Sequence, residues 1–140
     1  MRPLRPSSLV LLLLPAAVYC SSGCSSGLNR PVNEVTAKTD ADGVQRVRIV
    51  THSFWFEPNR IVVKQGVPVE LSLHNNSAIV PHNFSCIAPA AGLEAKEGLG
   101  LISKSKKVKF TPKDPGEYPF FCAVDGHSKK GMQGTIVVVP

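Results

Sequence analysis

Apolar and polar residues alternate in short runs along most of the chain. In Val44–Thr51, Val47 and Ile49 alternate with Arg46 and Arg48, which is the period-two pattern of a strand with one face in solvent. Similar runs predict further strands within residues 54–56, 61–64, 67–73, 79–87, 107–111, 117–122 and 134–139. Turn-forming Pro, Gly and Asn residues separate them. The pattern therefore predicts about seven to eight short strands.

This succession of strands and turns predicts the fold class. Short strands with turn signals about every ten residues are typical of an antiparallel Greek-key β-sandwich. Residues 88–103 fit no strand pattern, and we expect a short helix or an irregular loop there. No internal repeat is present. The chain is therefore expected to be all-β.

The N-terminal segment has the residue order of an export signal. Arg2 and Arg5 precede an apolar run at residues 9–18, and small residues follow at positions 21–23. A charged, then apolar, then small-residue order is that of a secretory signal, and the apolar run is shorter than the ~20 residues that span a bilayer. We therefore expect residues 1–23 to be a signal peptide.

Cys24 leaves two outcomes for the exported protein. Gly23-Cys24 resembles a bacterial lipoprotein cleavage box, although Ser21 stands where that box usually has Leu. Lipidation would make Cys24 the mature N-terminus and anchor the protein to a membrane. Simple cleavage near Gly23 would release a soluble product. Both outcomes place it in an oxidising compartment, the periplasm or the outer face of a membrane.

Length and charge limit the domain count and the partners. With 140 residues the chain has room for one domain. Polar residues 24–42 have no period and are expected to form a flexible tether, followed by a folded domain over residues 43–140. The net charge of +6 falls to +4 without Arg2 and Arg5. No basic stripe with interleaved aromatics remains, so nucleic-acid binding is not expected.

Residues with metal-binding chemistry lie in two distant segments. Cys122, His127 and Met132 are spaced C-x4-H-x4-M on one predicted loop, and His82 lies near the start of a distant predicted strand. One thiolate, two imidazoles and a weak thioether are the ligands of a mononuclear blue-copper centre. We therefore predict one type-1 copper ion held by these four residues.

The sequence around these residues resembles the cupredoxins, the small type-1 copper proteins that include plastocyanin and azurin. The resemblance covers about residues 54–140, and its strongest section runs from Pro115 to Gly134. The C-x4-H-x4-M spacing is similar to that of rusticyanin and auracyanin. The resemblance implies a Greek-key sandwich, copper ligation by the same four residues, and a hydrogen bond from Asn83 to the segment beside Cys122.

The same resemblance implies a function. Cupredoxins usually carry single electrons between larger redox proteins, so we expect an exported, non-enzymatic carrier with transient partners such as cytochromes or membrane electron-transfer complexes. His127 would reach the surface as the electron port, with Pro81 and Met132 beside it. Lys129 and Lys130 would favour acidic partners.

Two other functions are weighed against this one. A copper chaperone or storage protein would use the same metal, but such proteins more often have Met- and His-rich sites, and only 2 Met occur here. A copper nitrite reductase or oxidase needs further His ligands and usually another domain, whereas this chain has 4 His. A binuclear copper centre would require a second Cys at position 126, and because that residue is Gly, such a centre is not expected.

The remaining chemistry-bearing residues are expected to be structural. Strand alternation places Cys86 on the same face as Phe84, which predicts a buried, inert thiol. His52 and His74 have no ligand-spaced neighbours and are expected at the surface or at strand ends. Trp55 and its flanking Phe residues are expected in the core.

Overall fold

The computed structural model describes residues 30–140, so the predicted signal peptide, the lipidation of Cys24 and the first part of the tether lie outside the described residues. No helix in this part of the chain is long and apolar enough to cross a membrane. Eleven strands are described: β1 Glu34–Thr36, β2 Lys38–Thr39, β3 Gln45–His52, β4 Trp55–Glu57, β5 Arg60–Lys64, β6 Val69–Asn75, β7 His82–Ala88, β8 Leu93–Leu99, β9 Ser105–Phe110, β10 Gly116–Phe121 and β11 Gln133–Val139.

The strands form two sheets. One sheet has the order β1-β5-β11-β10-β7-β8, and the other has the order β2-β3-β6-β9 with β4 beside β3. This confirms the predicted all-β sandwich; the strands beyond the eight predicted ones are β8 and the short strands β1 and β2, which have three and two residues. The pairing is mixed, because β1 with β5, β11 with β5, and β3 with β6 are parallel.

The core lies between the sheets and follows from the alternation in the sequence. Along β3, Val47, Ile49 and Thr51 are buried while Arg46 and Arg48 are exposed. Three fully buried rings at the centre, Phe56, Phe84 and Phe120, contact one another with centroid separations of 5.0–6.1 Å. Such ring pairs stabilise a core beyond the area they bury, so the aromatic cluster fixes β4, β7 and β10 together.

Order begins earlier in the chain than the sequence predicted. Within the expected tether 24–42, β1 pairs with the edge strand β5, and β2 pairs with β3. Apart from Val35 these residues are polar, and all of them are exposed, so side-chain periodicity gave no signal. Backbone hydrogen bonds to unpaired sheet edges order them instead.

The segment 88–103, expected as a short helix or an irregular loop, contains a strand. A single 3-10 turn at Pro89–Ala91 ends at Gly92, which has a φ of 75°, and β8 then pairs with β7 along its whole length. Leu93, Ala95 and Leu99 face the core. The alternation was missed because Ala95 is weakly apolar and the charged Glu97 interrupts the core-facing positions between Ala95 and Leu99.

Candidate metal centre

Two neighbouring strands bring His82 and Cys122 to one end of the sandwich. His82 is the first residue of β7, and Cys122 directly follows the last residue of β10. Because β7 and β10 are antiparallel neighbours, with Phe121 opposite Ser85, the start of one lies beside the end of the other. Their side chains therefore meet although 40 positions separate them in sequence.

The loop from Cys122 to Met132 is held by its own backbone. The Cys122 N–H donates to the Met132 carbonyl over 3.0 Å, and the Met132 N–H donates to the His127 carbonyl over 3.1 Å. Gly126 and Gly131 have φ values of 73° and 91°, which a side chain would strain. The loop thus turns twice and returns Met132 to Cys122.

Three ligand atoms converge at this end. One from each of His82, Cys122 and His127 lie within 4.8 Å of one another, and Cys122 Sγ is 3.5 Å from His127 Nδ1. Cys122 and Met132 are fully buried. Together the predicted residues His82, Cys122, His127 and Met132 form a type-1 copper-like site.

His82 shows that a metal fits this site. Both of its ring nitrogens are buried and have no hydrogen-bond partner among the described residues, although buried polar atoms are nearly always partnered. Burial, together with repulsion from His127, lowers the pKa of His82 to about 4. Its imidazole is therefore neutral near pH 7 and offers a free lone pair to a soft metal ion.

Asn83 braces the site as the family resemblance implied. Its side-chain Oδ1 accepts a 2.6 Å hydrogen bond from the Ala123 N–H, and its own N–H points to Cys122 Sγ at 3.4 Å. The first bond ties β7 to the ligand loop. The second places a backbone N–H against the sulfur that would bind the metal.

Two further residues organise this end and were not predicted. The buried Asn75 amide donates to the carbonyls of Val80, Leu99 and Gly100, which joins the loop before His82 to the loop after β8. Phe54, on the turn between β3 and β4, packs edge-on against His127. Asn75 continues the buried alternation of Leu71 and Leu73 in β6. A polar residue at the next core-facing position of a strand could have indicated a buried amide with a structural role.

The aromatic residues divide between the core and the metal end. Phe56 is buried as expected, whereas Trp55 and Phe54 are half-buried. Trp55 stacks on His52 and lies under the Arg30 guanidinium. His127 is only 8% exposed, so less of this ring reaches the surface than the resemblance implied.

The other Cys and His residues between positions 30 and 140 lie outside the site. Cys86 is buried and free, and burial raises the pKa of its thiol to about 11, as expected for an inert core thiol. His52, at the end of β3, contacts Glu57 over 2.9 Å, and His74 contacts Ser105 over 2.9 Å.

Comparisons with known proteins agree with this architecture. The family model described as "Cupredoxin-like domain" matches residues 13–138. No curated protein sequence gives a significant match. The metal-binding domain of the Cu(I)-exporting P-type ATPase CopA of Streptococcus pneumoniae D39, solved with Cu(I), is 23% identical, and the match covers 79% of this chain and 100% of that domain with a TM-score of 0.61. Reduced auracyanin of Roseiflexus castenholzii is 22% identical, and the match covers 74% of this chain and 99% of auracyanin with a TM-score of 0.61. Rusticyanin of Thiobacillus ferrooxidans is 18% identical, and the match covers 76% of this chain and 82% of rusticyanin with a TM-score of 0.57. At these identities the likeness shows the fold.

Proposed function

This chain belongs to the cupredoxin-like family, and on that basis we propose that it is a blue-copper electron carrier, exchanging single electrons with other redox proteins through Cu(I)/Cu(II). The observation that carries the proposal is the convergence of ligand atoms from His82, Cys122 and His127 within 4.8 Å. Met132, at the end of the same loop, would supply the weak axial sulfur.

The residues of the site suit a carrier. When bound, copper would supply the one-electron couple, with the Cys122 thiolate as its soft ligand. His82 is fixed by β7, Cys122 by β10 and the Asn83 bond, and Met132 by backbone bonds to Cys122 and His127. Because these supports are backbone or buried, the ligands would shift little between oxidation states, which keeps the barrier to electron transfer low.

The alternative function is a copper chaperone or storage protein of the same fold. It is favoured by the likeness to the CopA metal-binding domain, which holds Cu(I). A chaperone must release its metal readily, so its site should be open to the receiving protein. The buried Cys122 and Met132 and the nearly buried His127 favour the carrier.

We also propose that the chain has no catalytic activity. An oxidase or nitrite reductase would need a second set of His ligands. In the described residues, His52 and His74 contact Glu57 and Ser105 and lie on different strands from the converging ligands. Within residues 30–140, one group of three or more His, Cys and acidic side chains converges closely enough to hold a metal, and it is His82, Cys122 and His127.

The partners and location that we propose follow from the surface and the N-terminus. The expected signal over residues 1–23 and Cys24 would place the carrier in the periplasm or lipid-anchored on the outer face of a membrane. Exposed Ile79 and Ile102 lie on loops beside His82, and Lys129 and Lys130 lie on the ligand loop. Exposed apolar side chains and basic residues on loops of the metal end suit brief docking to acidic redox proteins such as cytochromes.

Adding Cu(II) to the purified domain tests the proposal. We expect an intense absorption band near ~600 nm and narrow copper hyperfine splitting, both of which require thiolate ligation. A reversible high-potential couple would support the carrier, whereas a colourless site that gives up Cu(I) rapidly would support the chaperone. The Cys122→Ser variant should stay folded and colourless; if it still turns blue, the ligand assignment is wrong.

A further inference from the structure

His127 is covered by an aromatic side chain from outside the ligand loop. The Phe54 ring meets the His127 ring edge-on, with centroids 4.9 Å apart and planes at 86°. Phe54 belongs to the short turn between β3 and β4, so it approaches His127 from the opposite sheet. With this ring in place, 8% of His127 is exposed.

The backbone of Phe54 is unfavourable for the residue it carries. Its φ of 67° is the only positive value at a non-glycine residue in the described part of the chain. A left-handed conformation is disfavoured for a bulky side chain, and a turn at this position would ordinarily take Gly or Asn. Such strain persists where surrounding contacts enforce it, and it clusters at functional sites. The contact with His127 is one such contact.

The ligand loop closes over the same ring. Lys130 Nζ lies 4.1 Å from the Phe54 centroid, within the range of a cation–π interaction. Lys130 ends a second 3-10 turn, Ser128–Lys130, which lies between His127 and Met132. Phe54 is therefore held on one side by an imidazole of the site and contacted by an ammonium from the same loop.

We propose that Phe54 and Lys130 form a lid over His127 that slows the entry and release of copper. The lid rests on the proposed copper site, and Phe54 acts in it as a positioning residue rather than as a ligand. The ring limits the swing of the His127 imidazole and excludes water and competing ligands from it. The strained turn at Phe54 therefore destabilises the fold locally but slows the release of copper.

The strain makes Phe54→Gly the decisive variant. Glycine adopts the same φ without penalty, so relief of the strained turn should offset part of the stability that the metal-free variant loses with the packing of the ring. Loss of Cu(I) to an excess of bathocuproine disulfonate should be about three- to tenfold faster, because the aromatic contact is gone. Uptake of Cu(I) by the metal-free protein should also be faster.

Two lysine variants separate the lid from general charge effects. Lys130→Gln removes the ammonium without adding a sulfur ligand for copper, and it should speed copper loss by less than Phe54→Gly does. Lys129→Gln makes the same change on an exposed neighbour and should release copper at the wild-type rate. The ~600 nm band should shift or broaden in Phe54→Gly and stay unchanged in Lys129→Gln.

The outcomes distinguish this inference from the function it rests on. If Phe54→Gly lowers the stability of the metal-free protein and leaves the copper-release rate unchanged, Phe54 is an ordinary packing residue and the lid is refuted. Equal acceleration by Lys129→Gln and Lys130→Gln would also refute it. If the wild type takes up no copper, the proposed function fails, whereas wild-type copper binding with unaltered release in Phe54→Gly overturns the lid alone.

Discussion

His82 illustrates how a single position can be prepared for a metal before the metal arrives. Both nitrogens are buried without a partner, which costs free energy in the metal-free protein. Burial and the neighbouring His127 also hold the ring neutral. A ligand atom that is desolvated, unprotonated and already in place binds metal without further rearrangement, and the metal-free fold bears the energetic cost.

That cost should be visible as a pH dependence of the metal-free protein. The pKa of His82 is lowered from 6.5 to about 4 in the folded state, so on acidification the unfolded state takes up the proton first. The free energy of unfolding should therefore fall as the pH decreases from about 6.5 to about 4, by up to ~3 kcal/mol. Urea unfolding at a series of pH values measures this slope.

His82→Gln removes the titrating group and should flatten part of the profile. The remaining slope belongs partly to His127, whose pKa is also lowered, chiefly by burial and further by Lys130. Parallel wild-type and variant profiles over this pH range would show that His82 is not protonated on unfolding, and the prediction would fail.

At the residue scale, the four candidate ligands could be predicted, because three of them lie within eleven positions and their spacing is a local signal. The lid could not be predicted. Phe54 and His127 are 73 positions apart, and an aromatic residue next to Trp55 and Phe56 is typical of a buried strand. The geometry of the β3–β4 turn places Phe54 against His127, whereas Phe56, two residues later, is buried in the core.

At the scale of strands, the weakest link beside the site is the contact between β7 and β10. Their ladder contains two residue pairs, Phe120 with Cys86 and Phe121 with Ser85. The hydrogen bond from the Ala123 N–H to Asn83 Oδ1 continues the connection beyond the ladder, towards the ligands. Asn83 therefore serves as a side-chain extension of the sheet.

Asn83→Ala should destabilise this connection. Loss of the bond should cost about 1 kcal/mol in the free energy of unfolding, and copper retention should weaken roughly tenfold because Cys122 is less firmly held. Asn76→Ala is the matched control, since Asn76 is exposed and its side chain makes no hydrogen bond within residues 30–140. Equal effects of the two substitutions on copper retention would exclude a bracing role for Asn83.

The sequence predicted strands well where one face is apolar and poorly where polar edge residues pair. β3, β5, β6 and β11 agree with their alternating or β-branched runs to within two residues at each end. β1 and β2 are exposed throughout, so their order depends on a partner edge that single-strand periodicity does not report. Periodicity within one strand also does not report strand direction, which is set by chain connectivity, so the three parallel pairs were not predicted.

Across the described part of the molecule, exposed Ile side chains lie at both ends of the sandwich. Ile102 is fully exposed and Ile79 is 81% exposed. They lie on loops that the Asn75 amide joins beside His82, and Lys104 and Lys130 lie on loops at the same end. Exposed Ile87 lies near the far end of β7, away from His82. An interaction surface at the metal end would use the first set and leave Ile87 in solvent.

Two Ile→Asp substitutions, one at each end, test whether the metal end is the docking surface. Ile102→Asp should slow electron transfer to an acidic c-type cytochrome about tenfold, because it removes apolar contact area and introduces repulsion, and the copper reduction potential should stay near the wild-type value. Ile87→Asp changes the net charge by the same amount at the opposite end, so its rate should stay close to that of the wild type once ionic strength is raised. Stopped-flow measurements at several salt concentrations compare the two. Equal slowing of electron transfer in both variants would mean that net charge alone governs the encounter with the cytochrome. The metal end would then not be the docking surface.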